Sequence, residues 1–135
     1  LTFLNPLSLI SKISKVSCNQ IYDSTFNKMI AKSAEKANIP LQEGVYVGVK
    51  GPSYETASEV EMVRRIGGDA VGMSTVNETA FAHALGMKVA GISCITNYAT
   101  GVTSAKLHHS EVTAVANMVK QRFSDLITSI LLNVR

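Results

Sequence analysis

Three short polar segments, each directly after a predicted β-strand, carry the side chains best suited to chemistry. They read GPSYET at 51–56, GMST at 72–75 and ITN at 95–97. Ligands in open α/β sheets bind beyond the carboxyl ends of the strands, so these segments are expected to meet at one edge of the sheet. A carboxylate, hydroxyls and an amide would converge there, from Glu55, Ser74, Thr96 and Asn97.

The same residues also have a purely local interpretation. Serine and threonine are common helix caps, which suits Ser74 and Thr75 at the start of a predicted helix. Asparagine commonly begins turns, which suits Asn97. Spacing alone does not separate ligand binding from capping, and both interpretations stay open at this level.

Strands and helices alternate from residue 44 onward and would position these segments. GVYVGV at 44–49 and AVGM at 70–73 are predicted strands. The almost continuously apolar run at 87–95 predicts a central strand covered on both faces. The order implies a single α/β domain over residues 1–135, with a parallel-rich, mixed central sheet and helices on both faces. The sheet would be incomplete at the amino terminus.

Helices are predicted around these strands. Apolar residues at helical spacing mark 24–37, opened by Asp23 or Ser24, and a long carboxyl-terminal helix through Val112–Val134. Two further helices are predicted from the capping-box spacing of a threonine and a glutamate three residues later. Thr56 with Glu59 would begin one helix, and Thr75 with Glu78 would begin the other. Ala80, Phe81, Ala84 and Leu85 are expected to pack inward from the third helix.

Composition excludes several classes of protein. The 135 residues are 46% hydrophobic and 17% charged, which is typical of one compact domain and not of a disordered or collagen-like chain. The longest apolar run is too short to span a bilayer. The opening LTFLNPLSLI has no basic region or cleavage site of a signal peptide, and a chain that starts at Leu1 suggests missing upstream sequence. We expect a soluble, cytoplasmic protein.

The charge distribution and the positions of the cysteine and histidine residues limit the binding partners that the sequence predicts. The net charge of +3 comes from scattered cations, so nucleic acid is not indicated. Cys18 is far from Cys94, which lies in an apolar run and is expected to be a buried free thiol. Adjacent His108 and His109 make a poor metal pair, and His83 lies in a helix, so no metal site is predicted. Dinucleotide, phosphate-loop and hydrolase-elbow motifs are absent from the sequence.

Long ordered motifs in this chain resemble a known family. The segments GVYVGVKGPSYET, GGDAVGMSTVNET and GMKVAGISCITN within 44–97 closely resemble the carboxyl-terminal half of the trimeric purine nucleoside phosphorylases. Weaker similarity extends to Asn5-Pro6-Leu7 and to HSEV at 109–112. The resemblance implies phosphorolysis of 6-oxopurine nucleosides in purine salvage, by a pentosyltransferase that uses inorganic phosphate as co-substrate and no cofactor. It also implies a homotrimer.

The resemblance also implies roles for individual residues. Glu55 would accept the purine N1–H, Asn97 would bond N7 and O6 of the departing base, and His109 would bond the ribose 5′-hydroxyl. The remaining residues would line the substrate site: Tyr54 and Val71 against the base, Met73 and Tyr46 near the sugar, Ser74 on phosphate, and Thr96 beside Asn97. Related methylthioadenosine phosphorylases have aspartate in place of Asn97, so the amide implies a preference for 6-oxopurines.

Departures from the family pattern leave a second hypothesis open. The stretch at 8–20 diverges from the family, residues 1–23 are expected to be poorly ordered, and Lys50 stands beside the base pocket. The family's amino-terminal half carries a glycine-rich phosphate loop that has no counterpart here. The alternative to an active phosphorylase is therefore a truncated or degenerate purine-binding subunit without catalysis. A water-using nucleosidase is a third possibility.

Overall fold

The computed structural model describes residues 21–104 and 109–134. The elements in chain order are α1 (Ser24–Lys36), β1 (Tyr46–Gly48), α2 (Ala57–Arg65), β2 (Ala70–Gly72), α3 (Val76–Ala84) and α4 (His109–Asn133). The divergent stretch at 8–20, Cys18 and His108 lie outside the described residues, whereas residues 21–23 are part of the fold.

Strands β1 and β2 form a parallel pair, as the sequence predicts. Tyr46 lies opposite Ala70, Val47 opposite Val71 and Gly48 opposite Gly72. Helix α2 provides the crossover between them. Val63 of α2 and Val47 of β1 are both buried, and each lies against Gly68, where a Cβ atom would collide with their methyl groups. The helix therefore packs closely on the strand.

The predicted central strand at 87–95 is wrong within the described residues. The only pairing of this segment among the described residues is an isolated bridge between Tyr22 and Val89. In this bridge the Asp23 N–H donates to the Val89 carbonyl at 2.8 Å. Ala90 and Ile92 pack against the core, but Ile95 is 65% exposed. Cys94 is free and exposed, so the expected burial of its thiol is also wrong. An apolar run does not specify which backbone will pair with it, and pairing defines a strand.

Helix α1 begins where the sequence predicts and packs against α4. The Phe26 and Thr25 N–H groups both donate to Asp23 Oδ1 at 2.9 Å, and they lower the pKa of that carboxyl. A cluster between the two helices forms the core, and its buried members are Ile30, Ala34, Leu126 and Ile130. Of the apolar residues predicted for the carboxyl-terminal helix, Leu126 and Ile130 are buried here, whereas Val134 is 46% exposed.

Helix α2 has the predicted capping box, and α3 does not. Thr56 Oγ1 accepts the Glu59 N–H at 3.3 Å, while the Thr56 N–H donates to Glu59 Oε2 at 2.7 Å. At α3, Thr75 has φ 72° and makes no side-chain cap bond, and its hydroxyl instead lies 3.2 Å from Ser74 Oγ. The second capping box is therefore wrong.

The expected inward packing of α3 is confirmed only in part. Ala80 is buried and Ala84 is half-buried, but Leu85 is exposed and Phe81 is 58% exposed. A nine-residue helix buries only the face that meets a neighbouring element, and these two side chains lie off that face in the described part of the chain.

Truncation of the core should destabilise the fold strongly. Leu126 is 2% exposed within the α1–α4 cluster. Leu126→Ala is expected to lower the free energy of unfolding by about 2–5 kcal/mol, from lost burial and an unfilled cavity. Leu132, on the same helix, is 79% exposed. In urea unfolding, Leu132→Ala should change stability by less than about 0.5 kcal/mol. Equal losses in both variants would contradict this packing.

The capping box should make stability depend on acid. The Thr56 backbone N–H and, to a lesser extent, the Thr56 hydroxyl donate to Glu59 and lower its pKa below the ordinary value of 4.5. A lowered folded-state pKa stabilises the fold above the ordinary value, and that stability is lost as the pH falls through the lowered pKa. Glu59→Gln should flatten the acid limb of a plot of stability against pH. Glu78→Gln, at the matched position of uncapped α3, is the control; an unchanged acid limb in Glu59→Gln would contradict the account.

Candidate functional site

The carboxyl ends of β1 and β2 bring two predicted site residues into contact. The Tyr46 phenol oxygen lies 3.4 Å from both Ser74 Oγ and the Ser74 backbone nitrogen. Ser74 in turn contacts the Thr75 hydroxyl. Hydroxyl groups therefore cluster where the sequence analysis expects a ligand, and the side chains of Ser74 and Thr75 make contacts other than helix capping.

Glycines allow the loop after β1 to approach the loop after β2. The Val49 N–H donates to the Gly72 carbonyl at 2.8 Å, which continues the strand pairing by one residue. Gly51 has φ 64°, and a Cβ there would collide with Met73, so the thioether lies directly against its backbone. A larger residue at Gly51 would separate the two loops and strain the backbone.

Glu55 stands at the end of the loop after β1, just before the Thr56 cap of α2. Its side chain is half-buried, and its Oε1 atom is shielded from solvent without a hydrogen-bond partner among the described residues. A buried acceptor without a donor is costly, so such an atom calls for a partner. The neighbouring Tyr54 is 44% exposed.

Thr96 and Asn97 form the third part of the predicted site. The Thr96 hydroxyl donates to Asn97 Oδ1 at 2.7 Å, and Asn97 Nδ2 donates to the Tyr98 carbonyl at 3.1 Å. These contacts agree with the local-turn interpretation of Asn97. A primary amide has two donor hydrogens and two acceptor lone pairs, so one of each is left for a ligand.

The chain after Asn97 returns toward the start of α2. A Cβ atom at Gly101 would lie 2.8 Å from the Ala57 Cβ, so the backbone there runs against the first residue of α2. Ala57 is two residues from Glu55, which links the third segment with the first. Among the described hydrogen bonds, however, the Tyr46–Ser74 pair and the Thr96–Asn97 pair are not joined.

The other predicted site residues occupy different positions. Val71 is half-buried on β2 opposite Val47, Met73 is exposed against Gly51, and Lys50 is exposed in the loop after β1. His109 is the first residue of α4, and its side chain lies outside the described atoms. The segment that holds Asn97 follows an irregular stretch rather than the predicted third strand.

Glycine contacts are the part of the site that the sequence analysis missed. Gly72 lies beneath the Tyr46 phenol, and Gly48 lies against Val76 of α3, so a side chain at either position would collide with its neighbour. The sequence did indicate close contacts at these positions, because both glycines lie near the ends of the predicted strands. Glycine at such sites commonly marks close approach of a ligand or another chain segment.

The described residues also bear on the expected absence of a metal site and on the expected location of the protein. Within residues 21–104 and 109–134, no group of three or more histidine, cysteine, aspartate or glutamate side chains is arranged to hold a metal ion. None of the described helices has the length and apolar character required to cross a membrane. The predictions of no metal and of a cytoplasmic location remain predictions.

Comparison with known proteins identifies relatives over most of the chain. Purine nucleoside phosphorylase 1 of Bacillus subtilis is 49% identical over 109 residues, which cover 81% of this chain and 40% of that protein. Its namesake from Geobacillus stearothermophilus is 40% identical over 116 residues, covering 86% and 42%. A crystal structure of Schistosoma mansoni purine nucleoside phosphorylase in complex with inosine has a TM-score of 0.80 and 31% identity, covering 85% and 42%.

These matches confirm the predicted resemblance and fold class. The chain spans about two fifths of the length of the curated relatives that it matches. The profile of the phosphorylase superfamily matches residues 5–132, which is nearly the whole sequence. On the strength of that match and of the shared parallel α/β fold, this chain belongs to the phosphorylase superfamily.

Proposed function

We propose that this chain forms the base-recognising part of an enzyme that phosphorolyses 6-oxopurine ribonucleosides and deoxyribonucleosides, such as inosine and guanosine. The products are the free purine and ribose or deoxyribose 1-phosphate, as purine salvage requires. One observation carries the proposal: a shielded oxygen of Glu55 has no donor among the described residues. The N1–H group of a 6-oxopurine supplies such a donor, and adenine has none at that position.

Asn97 provides the second contact to the base. Its unused N–H donates to O6 or N7 of the purine, where negative charge develops as the glycosidic bond breaks. A fixed donor at that position stabilises the departing base. The Thr96 hydroxyl, 2.7 Å from Asn97 Oδ1, orients the amide so that its nitrogen faces the ligand. Thr96 therefore acts through Asn97.

The remaining residues bind sugar and phosphate. Ser74 donates its hydroxyl to inorganic phosphate, which is the co-substrate, while Met73 and His109 contact the ribose, and Val71 and Tyr54 pack on the base. No metal or organic cofactor is required by this scheme, because phosphate is itself the nucleophile. The active protein is a cytoplasmic homotrimer in this proposal, as the family resemblance implies.

Base release by the 135-residue chain tests the proposal. Hypoxanthine release from inosine is measured with and without phosphate, in the wild type, in Asn97→Ala and in Asn117→Ala. Asn117 is exposed on α4 and serves as the matched control. Any release by this chain alone is expected to require phosphate, to be lost in Asn97→Ala and to persist in Asn117→Ala, and it would show that the chain is catalytically sufficient without the family's phosphate loop.

The other outcomes identify the alternatives. Release without phosphate would indicate a nucleosidase. A folded chain that binds hypoxanthine but releases none from inosine would support a non-catalytic purine-binding subunit. A folded chain that neither binds nor releases hypoxanthine would contradict base recognition altogether.

Asn97→Asp should shift the preference toward 6-aminopurines. A carboxylate accepts from a 6-amino group and is repelled by a 6-oxo group, at about 1–3 kcal/mol for each mispaired group. The ratio of inosine to adenosine turnover is expected to fall by about 10-fold or more. The Schistosoma mansoni enzyme has also been solved with adenosine, so turnover is a better measure than occupancy. An unchanged ratio would remove Asn97 from specificity, and Asn117→Asp is the control.

A further inference from the structure

Tyr46 is held over the backbone of the neighbouring strand. It lies opposite Ala70 in the parallel register, and its ring extends along β2 to Gly72. A Cβ atom at Gly72 would overlap the phenol oxygen and the adjoining ring carbon. The phenol therefore occupies space that any residue other than glycine would fill.

The phenol oxygen contacts Ser74 at two atoms. It lies 3.4 Å from the Ser74 backbone nitrogen, which can only donate, and 3.4 Å from Ser74 Oγ. A phenol has one hydrogen and accepts at its oxygen, so it can receive the N–H and pair with the hydroxyl at once. Both distances exceed the usual range of about 2.7–3.2 Å for N–H···O and about 2.5–3.0 Å for O–H···O, so each contact is a weak hydrogen bond.

Ser74 also has local contacts: its carbonyl accepts the Val76 N–H at 2.7 Å, and its hydroxyl lies 3.2 Å from the Thr75 hydroxyl. Ser74 is exposed and follows the end of β2, and the next residue, Thr75, has φ 72°. Positive φ is uncommon for a β-branched residue and persists where surrounding contacts determine the conformation. The Tyr46 phenol is the contact that reaches Ser74 from the neighbouring strand, alongside the Thr75 hydroxyl at 3.2 Å.

We propose that Tyr46 is a positioning residue that sets the Ser74 hydroxyl for phosphate. This inference rests on the proposed function, in which Ser74 donates to the phosphate oxygen. The phenol accepts the Ser74 N–H and so fixes the backbone from which Oγ projects, and the Ser74 O–H is then directed to phosphate. The family resemblance implies only that Tyr46 stands near the sugar, whereas its oxygen here faces Ser74.

Phosphate and hypoxanthine titrations of the 135-residue chain test this role. Tyr46→Phe removes the phenol oxygen and keeps the ring, and Tyr22→Phe is the matched control on a residue paired with Val89. Amide NMR spectra follow Ser74 while inorganic phosphate, and separately hypoxanthine, is added. Tyr46→Phe should move the Ser74 amide signal and weaken phosphate binding by about 3- to 10-fold, the size of one hydrogen bond. Hypoxanthine affinity should stay unchanged.

A double variant separates positioning from general loosening of the loop. If Tyr46 acts through Ser74, adding Tyr46→Phe to Ser74→Ala should cause little further loss of phosphate affinity. Equal phosphate affinity in the wild type and in Tyr46→Phe would overturn the inference, as would a parallel loss of hypoxanthine affinity. If the wild-type chain binds hypoxanthine but does not bind phosphate, the inference is overturned and base recognition is unaffected. Binding of neither ligand would overturn the proposed function as well.

Discussion

The candidate site depends on the parallel pairing of β1 with β2. Three residue pairs hold the strands in register, and the Val49–Gly72 hydrogen bond extends that register into the loop. Because both strands end at the same edge, Tyr46 meets Ser74 and Gly51 meets Met73. Glycine at 48, 51 and 72 permits these approaches, so the site is shaped by missing side chains as much as by polar ones.

The proposed base recognition rests on an electrostatic requirement at Glu55. A shielded carboxylate oxygen without a donor is unfavourable in the folded protein, and a ligand that supplies an N–H removes that penalty. The α2 capping box fixes the backbone directly after Glu55 and so limits where this oxygen can lie. The Thr96–Asn97–Tyr98 bonds hold the Asn97 amide in one orientation. In the proposed function, the fold therefore orients both purine-binding groups before any ligand binds.

Local patterns in the sequence predicted the helices and the first two strands, because capping and periodicity are local properties. Asp23 and Thr56 cap their helices as expected. The strand prediction for 87–95 is wrong, since backbone pairing depends on distant segments. The predicted Thr75 cap is wrong because residue spacing does not specify a backbone φ of 72°. The candidate site residues rest on the strand ends and on the family resemblance, and their roles remain predictions. The Tyr46–Gly72 contact could not be predicted, because it depends on the register between two strands.

The most direct test of base recognition is the carbon-13 NMR signal of the Glu55 carboxyl group during titration with hypoxanthine and, separately, with adenine. Donation of the N1–H to Glu55 should move this signal in a saturable manner with hypoxanthine and far less with adenine. Glu55→Gln assigns the signal and should abolish the preference between the two bases. A Glu55 signal that does not move with hypoxanthine, or that moves equally with both bases, would contradict the assignment of this carboxylate as the purine acceptor.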